Sequence, residues 1–571
     1  MGYTIIKSEK DLELSTNYLA LKNLTAIRNF NGKFKEDKLF SVKDNMFYCI
    51  DGVILNLTDL KKKYGCFNIE SLIHCMFKKH GINFVKELRG NFSGVVYDAF
   101  NDKIYTFTNQ LGNKFVYYFF DKKNDDFIVS TNILDIVRFK KELGYNSSIS
   151  EEGAYFMLTF GYMLMDYTMV DGVKKINPGC YLECNKNKLN SVRYFEYNNE
   201  DILDVSMDKA IDELYERFSD TVNLSFKKDK EYGLDHLSFL SGGMDSRMIV
   251  FTANKLGYKD INCINFSKLN SQDEKISRSI CNDLNLNYTF NSLANGDYLK
   301  NIDYYISKNN GQILFNGAAH LVNTMSKVNL NKFGIVHNGN LADIMHGDYL
   351  GKPYHEKPML SKWGYSNKLL NRVSEFDKIV KNTYTNEEEF VIFNAGINGV
   401  YNGSVSLHDN TETYEEYTDP TVVEYAMRLS PKYRFQEKLF IKMIQKHCPE
   451  ATKYKWQKWN CKPSKLNSKI MLNRFSNTYI KILNKSYEMI LGKNNMREMN
   501  PYDYWYNKND NLRKYVDNYF KDNIHLLSKY STLKRDCEEL FKKGSFCEKA
   551  QVLTLLGFCK SFYNICFLLN L

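Results

Sequence analysis

The chain has 571 residues, more than one hydrophobic core accommodates, so two or three domains are expected. Its 43% apolar and 25% charged residues exclude a disordered chain, and its eight prolines exclude long Pro-rich linkers. The net charge of +10 arises from lysines spread along the whole chain, so no nucleic-acid partner is expected.

The N-terminal part reads as β-rich. Met1 to Lys10 lacks the apolar core of a signal peptide. Leu39 to Leu55 alternates apolar and polar residues around Asp51-Gly52, a turn signal. Ile69 to His80 has helical periodicity. Strand-like runs follow at Phe92 to Tyr97, Lys103 to Thr108, Phe115 to Phe120 and Asp126 to Ser130. Residues 146–195 read as a bridge with a turn at Pro178-Gly179.

Near Asp201 the texture changes. Met207 to Phe226 is amphipathic, His236 to Leu240 is a short apolar strand, and Arg247 to Leu256 is a helix. Asp260 to Phe266 and Asp273 to Leu284 give the next strand and helix. This order predicts a parallel α/β sheet. Beyond residue 465 the chain reads as helical, and Ala550 to Leu571, broken by Lys560, Ser561 and Asn564, reads as a buried helix pair. No apolar run reaches eighteen residues, so no membrane span is expected. The 13 cysteines show no CxxC pairing, which argues against zinc and fits a reducing cytoplasm.

The chemistry concentrates in Ser241-Gly242-Gly243-Met244-Asp245-Ser246, between an apolar strand and a helix. Two glycines permit a sharp turn whose N–H groups face inward as an anion nest. The following helix directs its positive end to the same point. Ser241 and Ser246 add hydroxyl donors. Asp245 cannot itself favour a phosphate, so its expected role is to hold Mg²⁺. Arg247 puts a fixed cation on the first helical turn. It could clamp phosphate or a substrate carboxylate, or pair with Asp273 or Glu274. The segment resembles the loop of enzymes that split ATP between its α and β phosphates.

Further segments resemble the asparagine synthetase family, in the family's order. They are Tyr48 to Leu60, Phe84 to Asp98, Leu111 to Tyr118, Thr159 to Tyr162 and Pro178-Gly179. Gly334 to Gly347 resembles the family's second loop, matching at Gly339, Asp343 and Gly347. Tyr417 to Lys442 resembles a later helix and a turn that supplies a lysine. Beta-lactam synthetases and lasso-peptide cyclases share this incomplete resemblance.

The resemblance implies an α/β chain in three parts. Residues 1–200 would be a degenerate glutaminase-like αββα sandwich of the N-terminal nucleophile hydrolase type. Residues 201–465 would be a pyrophosphatase-loop synthetase domain, and 466–571 a helical extension. It implies ATP and Mg²⁺ as cofactors, with Ser241, Gly242, Gly243, Asp245, Ser246 and Gly339 around ATP. Asp245 and Asp343 would be metal ligands, and Lys438 a catalytic lysine with Arg247 as a second candidate. The family's glutaminase nucleophile is a cysteine at position two. Here Gly2 stands there, and the first cysteine is Cys49. Asn340 replaces the family's loop carboxylate, and an amide cannot act as a general base.

The expected reaction joins a small-molecule or peptide carboxylate to ammonia or an amine through an acyl-AMP, in the cytoplasm. A separate glutaminase subunit or an oligomer would be compatible. Alternatives are amidation or cyclisation of a sugar acid, peptide or secondary metabolite, or an inactive ATP-binding scaffold.

Overall fold

The computed structural model describes residues 2–10, 12, 18–458, 460–463 and 499–568. Its first half is built from β1 (Gly2–Lys7), β2 (Tyr18–Leu21), β3 (Leu24–Asn29), β4 (Leu39–Lys43), β5 (Met46–Ile54) and β6 (Gly90–Asp98). β7 (Lys103–Thr108), β8 (Tyr117–Asp121), β9 (Asp126–Ser130), β10 (Lys174–Lys175), β11 (Cys180–Asn185) and β12 (Lys188–Arg193) complete it. They form two six-stranded antiparallel sheets, in the orders β10-β8-β9-β1-β3-β2 and β12-β11-β7-β6-β5-β4.

Period-two alternation makes these sheets a sandwich. In β5, Phe47 and Cys49 face Ile5, Val129 and Val95 in the inter-sheet core. Tyr48 and Ile50 face the other way, onto Leu60 of helix α1 (Leu57–Tyr64) and Leu72 and Met76 of α2 (Ile69–His80). On the opposite face, α3 (Ile133–Glu142) and α4 (Glu151–Phe160) cover Ile6 and Ile128. The order helix, sheet, sheet, helix is the αββα sandwich expected.

The second half carries a five-stranded parallel sheet. Its strands are β13 (Asp235–Phe239), β14 (Ile261–Ser267), β15 (Asn287–Ser292), β16 (Phe333–His337) and β17 (Thr413–Tyr414), in the order β15-β14-β13-β16-β17. Helices α5 (Met207–Glu231), α6 (Asp245–Lys255) and α7 (Gln272–Leu284) flank it. Ser206 and Ser271 cap α5 and α7, each accepting a backbone N–H of the first turn.

Three expectations are corrected. Asp51-Gly52 is no turn: β5 pairs with β6 without a break, Asp51 opposite Ser93 and Gly52 opposite Phe92. The hairpin turn is Asp44-Asn45, whose φ values of 50° and 59° suit a tight turn between right-twisted strands. Residues 146–195 are no bridge, because they contribute α4, β10, β11 and β12 to the sandwich. The C-terminal pair is one helix, Phe546–Leu568. Its polar residues do not break it: Ser561 bonds back to the Gly557 carbonyl at 3.1 Å and Lys560 reaches Asp303 at 2.7 Å. The helix packs into the first half of the chain. Its Leu553, Leu556 and Phe562 share one apolar core with Phe156 and Leu314. Residues 466–498 and 569–571 of the expected extension lie outside the described residues.

Ion pairs bolt the halves together. Lys38 and Lys114 lie 2.9 and 2.7 Å from buried Glu412, and Arg89 lies 2.9 Å from Asp419. Below the parallel sheet, His337 Nδ1 is 2.6 Å from Glu416 and its Nε2 is 3.0 Å from Asp229. Both nitrogens face carboxylates, so the ring is an imidazolium. Burial opposes that charge, but Glu416 and Asp229 outweigh it and raise the pKa to about 9. A folded pKa above the unfolded value of about 6.5 stabilises fully below pH 6.5 and is lost as pH rises through 9. Across that window the wild type should lose about 3 kcal/mol that His337→Gln does not lose. Urea midpoints of both proteins against pH check this; parallel curves would refute it.

Candidate active site

The site lies at the carboxyl end of the parallel sheet, where β13 and β16 are neighbours. Ligands of open α/β sheets bind at this edge. After β13 the chain runs through Leu240, Ser241, Gly242 and Gly243 into α6. Neither glycine takes a positive φ. The loop is closed on its own oxygens. Ser241 N–H donates to Ser246 Oγ at 2.9 Å, and Gly243 N–H donates to Ser241 Oγ at 3.1 Å. Gly242 N–H donates to Asp273 Oδ1 at 2.6 Å. The inward donors expected of the nest are therefore engaged by these oxygens.

Gly339, in the loop after β16, lies against this turn. A Cβ at that position would fall 2.5 Å from Ser246 N, so only glycine lets the two loops touch. The touch brings Asp343, the first residue of the short helix Asp343–His346, to Asp245. His346 lies between the acids. Its Nε2 is 3.3 Å from Asp245 Oδ1, and its Nδ1 is 4.0 Å from Asp348 Oδ1.

The electrostatics follow from this crowding. Burial raises the Asp343 carboxyl, and Asp245 and Asp348 raise it further against the pull of His346. Burial lowers His346, but Asp245, Asp343 and Asp348 together raise it to about 9. Beside them, Lys458 pairs with Asp348 and lies 2.6 Å from Glu437. Gln436 and Glu437 both have left-handed φ, 62° and 61°, as does Leu341 at 62°. Non-glycine residues held this way store strain, which concentrates where function demands it.

Each expected residue has a definite place. Ser241, Gly242, Gly243, Asp245 and Ser246 lie in the turn that Gly339 touches, and Asp343 is near enough to Asp245 for its carboxyl to be raised by it. Asn340 donates its Nδ2 to Ser404 Oγ at 3.2 Å. Lys438 is exposed at the first residue of the helix Lys438–His447. The ammonium that meets the acids is that of Lys458. The sequence reading missed Lys458, His346, Asp348 and Glu437. No motif marked them, although His346 and Asp348 flank the matched Gly347.

Arg247 departs from its expected catalytic role. It is wholly buried. Its Nη1 donates to the carbonyls of Ala451 at 3.1 Å and Tyr454 at 3.4 Å. Its Nη2 donates to those of Gly242 at 3.0 Å and Lys455 at 2.8 Å. Burial lowers its pKa to about 10, which keeps it charged near neutrality. It is a positioning residue that ties the phosphate-type loop to the segment before Lys458. Gln457 N–H strengthens that tie by donating to Gly242 O at 3.1 Å.

The fold is that of a two-part α/β protein, an antiparallel αββα sandwich joined to a parallel-sheet half that carries the Ser-Gly-Gly-x-Asp-Ser turn. Residues 35–195 match the model of the glutamine amidotransferase domain. The chain is 25% identical over 225 residues to a putative glutamine-hydrolysing asparagine synthetase of Methanocaldococcus jannaschii, covering 38% of this chain and 41% of that one. It is 21% identical over 285 residues to a second asparagine synthetase, from Bacillus subtilis, covering 47% and 36%. Among solved structures, an NMN synthetase from Francisella tularensis matches at 16% identity, covering 35% of this chain and 95% of that one. Its TM-score of 0.18 is too low to build on. Over these parts of its length the chain is similar to asparagine synthetases. It spans about two fifths or less of the length of these curated relatives.

Replacing Arg247 tests the tie. Arg247→Met leaves four buried carbonyls without their cation and should cost about 3 kcal/mol or more. Arg247→Lys should recover only part, because one ammonium cannot span all four. Urea unfolding measures both, and a Met variant as stable as the wild type would remove the assigned role.

Proposed function

We propose that this chain is an ATP-dependent ligase that activates a carboxylate as an acyl-AMP, releases pyrophosphate and passes the acyl group to ammonia or an amine. The observation that carries the reading is the contact of two loops. A strand–Ser-Gly-Gly-x-Asp-Ser–helix turn meets Gly339, and Asp245 thereby faces Asp343 across one small space.

The residues present suit ATP and a divalent cation. Three carboxylates and an imidazole converge where only His346 and Lys458 offset them, a donor set matched to a divalent cation. Asp245 and Asp343 would hold the ion, which neutralises phosphate charge when bound. Ser241, Gly242, Gly243 and Ser246 would bind pyrophosphate oxygens through their N–H and hydroxyl groups. The N-terminus of α6 favours negative charge at the same point. Lys458 would stabilise charge growing on the α-phosphate and acyl oxygen, the role the sequence reading gave to Lys438. Asn340 would orient the nucleophile without accepting its proton.

The N-terminal domain would not supply nitrogen from glutamine. Gly2 lies in β1 where the nucleophile is expected, and a Cβ there would fall 2.2 Å from Thr131 Oγ1. Cys49 is buried, and burial pushes its thiol far from the reactive thiolate. Free ammonia, an amine on the substrate, or a separate glutaminase subunit would then serve. The expected location is cytoplasmic. Among the described residues no helix is long and apolar enough to cross a membrane.

Product analysis decides the reaction. With Mg²⁺ or Mn²⁺, ATP, ammonium or amines and a carboxylate panel including aspartate and sugar acids, AMP and pyrophosphate should form in equal amounts. Asp245→Asn and Asp343→Asn should each lower turnover at least a hundredfold, about 2.7 kcal/mol. Glutamine alone should yield no glutamate. Formation of ADP and phosphate would overturn the reading. ATP binding without turnover on any acid would favour a scaffold.

A further inference from the structure

We infer that Asp343, His346 and Asp348, beside Asp245, form a divalent-cation site whose imidazole makes it prefer a first-row transition ion to Mg²⁺. The inference rests on the reading of Asp245 and Asp343 as cation-holding acids and adds the identity of the ion.

His346 carries the argument. It is 3% exposed, and neither ring nitrogen makes a hydrogen bond of acceptable geometry. Buried polar nitrogens are normally bonded, so two unbonded ones in one ring call for a partner. Carboxylates surround the ring instead. Nε2 is 3.3 Å from Asp245 Oδ1, and donor atoms of Asp343, His346 and Asp348 all lie within 4.8 Å of one another. Ligands on opposite sides of a small divalent ion stand about 4 to 4.5 Å apart. A contraction of a few tenths of an ångström would close this shell.

The ring is also held in place. It packs against Phe440 with centroids 4.9 Å apart. Gly347 ends its helix in the left-handed region, φ 78°. Asp348 is steadied from outside by Lys458, which Glu437 grips in turn. The cluster of Asp229, His236 and His337 makes the contrast. There His236 Nδ1 and both nitrogens of His337 are bonded to carboxylates, at 2.8, 3.0 and 2.6 Å. Those contacts are already satisfied and ask for no ion.

Donor chemistry selects the metal. Oxygen-only shells suit Mg²⁺, which holds rigid octahedral geometry and keeps its waters. An imidazole nitrogen adds affinity for first-row transition ions and little for Mg²⁺. One histidine among three carboxylates therefore tilts the site away from Mg²⁺.

Mn²⁺ is the probe, on the full chain without nucleotide. Free Mn²⁺ is measured by electron paramagnetic resonance, and bound Mn²⁺ by pulsed methods that detect directly coordinated ¹⁴N. The wild type should bind Mn²⁺ with ¹⁴N modulation, and Mg²⁺ should displace it only at tenfold or greater excess. His346→Gln should lose the modulation and weaken Mn²⁺ at least tenfold, with Mg²⁺ affinity changed less than twofold. Wild-type Mn²⁺ without ¹⁴N modulation, or equal affinity for the two ions, overturns the inference, and this arm needs no variant to fold. Mg²⁺-supported release of AMP and pyrophosphate alongside that negative result would leave the ligase reading standing. Nitrogen-bound Mn²⁺ without turnover on any carboxylate would remove the ligase reading alone.

Discussion

Arg247 carries a positive charge where no water reaches, and its terminal nitrogens answer to four main-chain carbonyls. Carbonyls are weak counter-charges, so the guanidinium holds all of them at once. One is the carbonyl of Gly242 in the Ser-Gly-Gly turn. The other three belong to Ala451, Tyr454 and Lys455. A turn between strand and helix is thereby fixed to a segment two hundred residues later. Lys458 reaches Asp348 and Glu437 because of that attachment.

The acid cluster depends on a second close contact, between the Gly339 loop and the Ser246 turn. Three carboxylates in a half-buried space repel one another, and an empty site needs a cation of its own. His346 and Lys458 supply that charge. The arrangement is costly as pure structure, because a buried ionic cluster rarely outdoes an apolar core of equal volume. Left-handed backbone at Leu341, Gln436 and Glu437 adds to the cost. Strained backbone and buried charge of this kind gather around one small space here.

The N-terminal sandwich also pairs charge with the other half. Its strands, helices and inter-sheet core are complete, and a Cβ at Gly2 in β1 would fall 2.2 Å from Thr131 Oγ1. Its buried lysines, Lys38 and Lys114, neutralise Glu412 of the parallel-sheet half. The sandwich thus acts as a wall that pairs charges across the domain boundary. The helices after residue 499 extend that wall by sharing its apolar core.

Much of this was legible in the chain itself. Period-two runs marked the sandwich strands, and the alternation of short apolar strands with amphipathic helices marked the parallel sheet. The phosphate-type turn was legible because it is local: glycines, hydroxyls and a carboxylate within six residues. Asp245 could be read for the same reason, whereas Gly339 and Asp343 came from the resemblance of Gly334 to Gly347 to the asparagine synthetase family's second loop. What the sequence could not convey was long-range pairing. Asp51-Gly52 has turn composition, yet pairing with β6 keeps it extended. Arg247 has the chemistry of a phosphate clamp, yet burial turns it toward carbonyls. Lys438 and Lys458 are equal as residues, and the positive-φ kink at Gln436-Glu437 with the Arg247 tie decides which one meets the acids. His346 and Asp348 carry no local signal, because their meaning lies in the distance to Asp245, a residue one hundred positions earlier. Local backbone chemistry is written in neighbouring residues, whereas the balance of buried charge exists only once the chain has closed on itself.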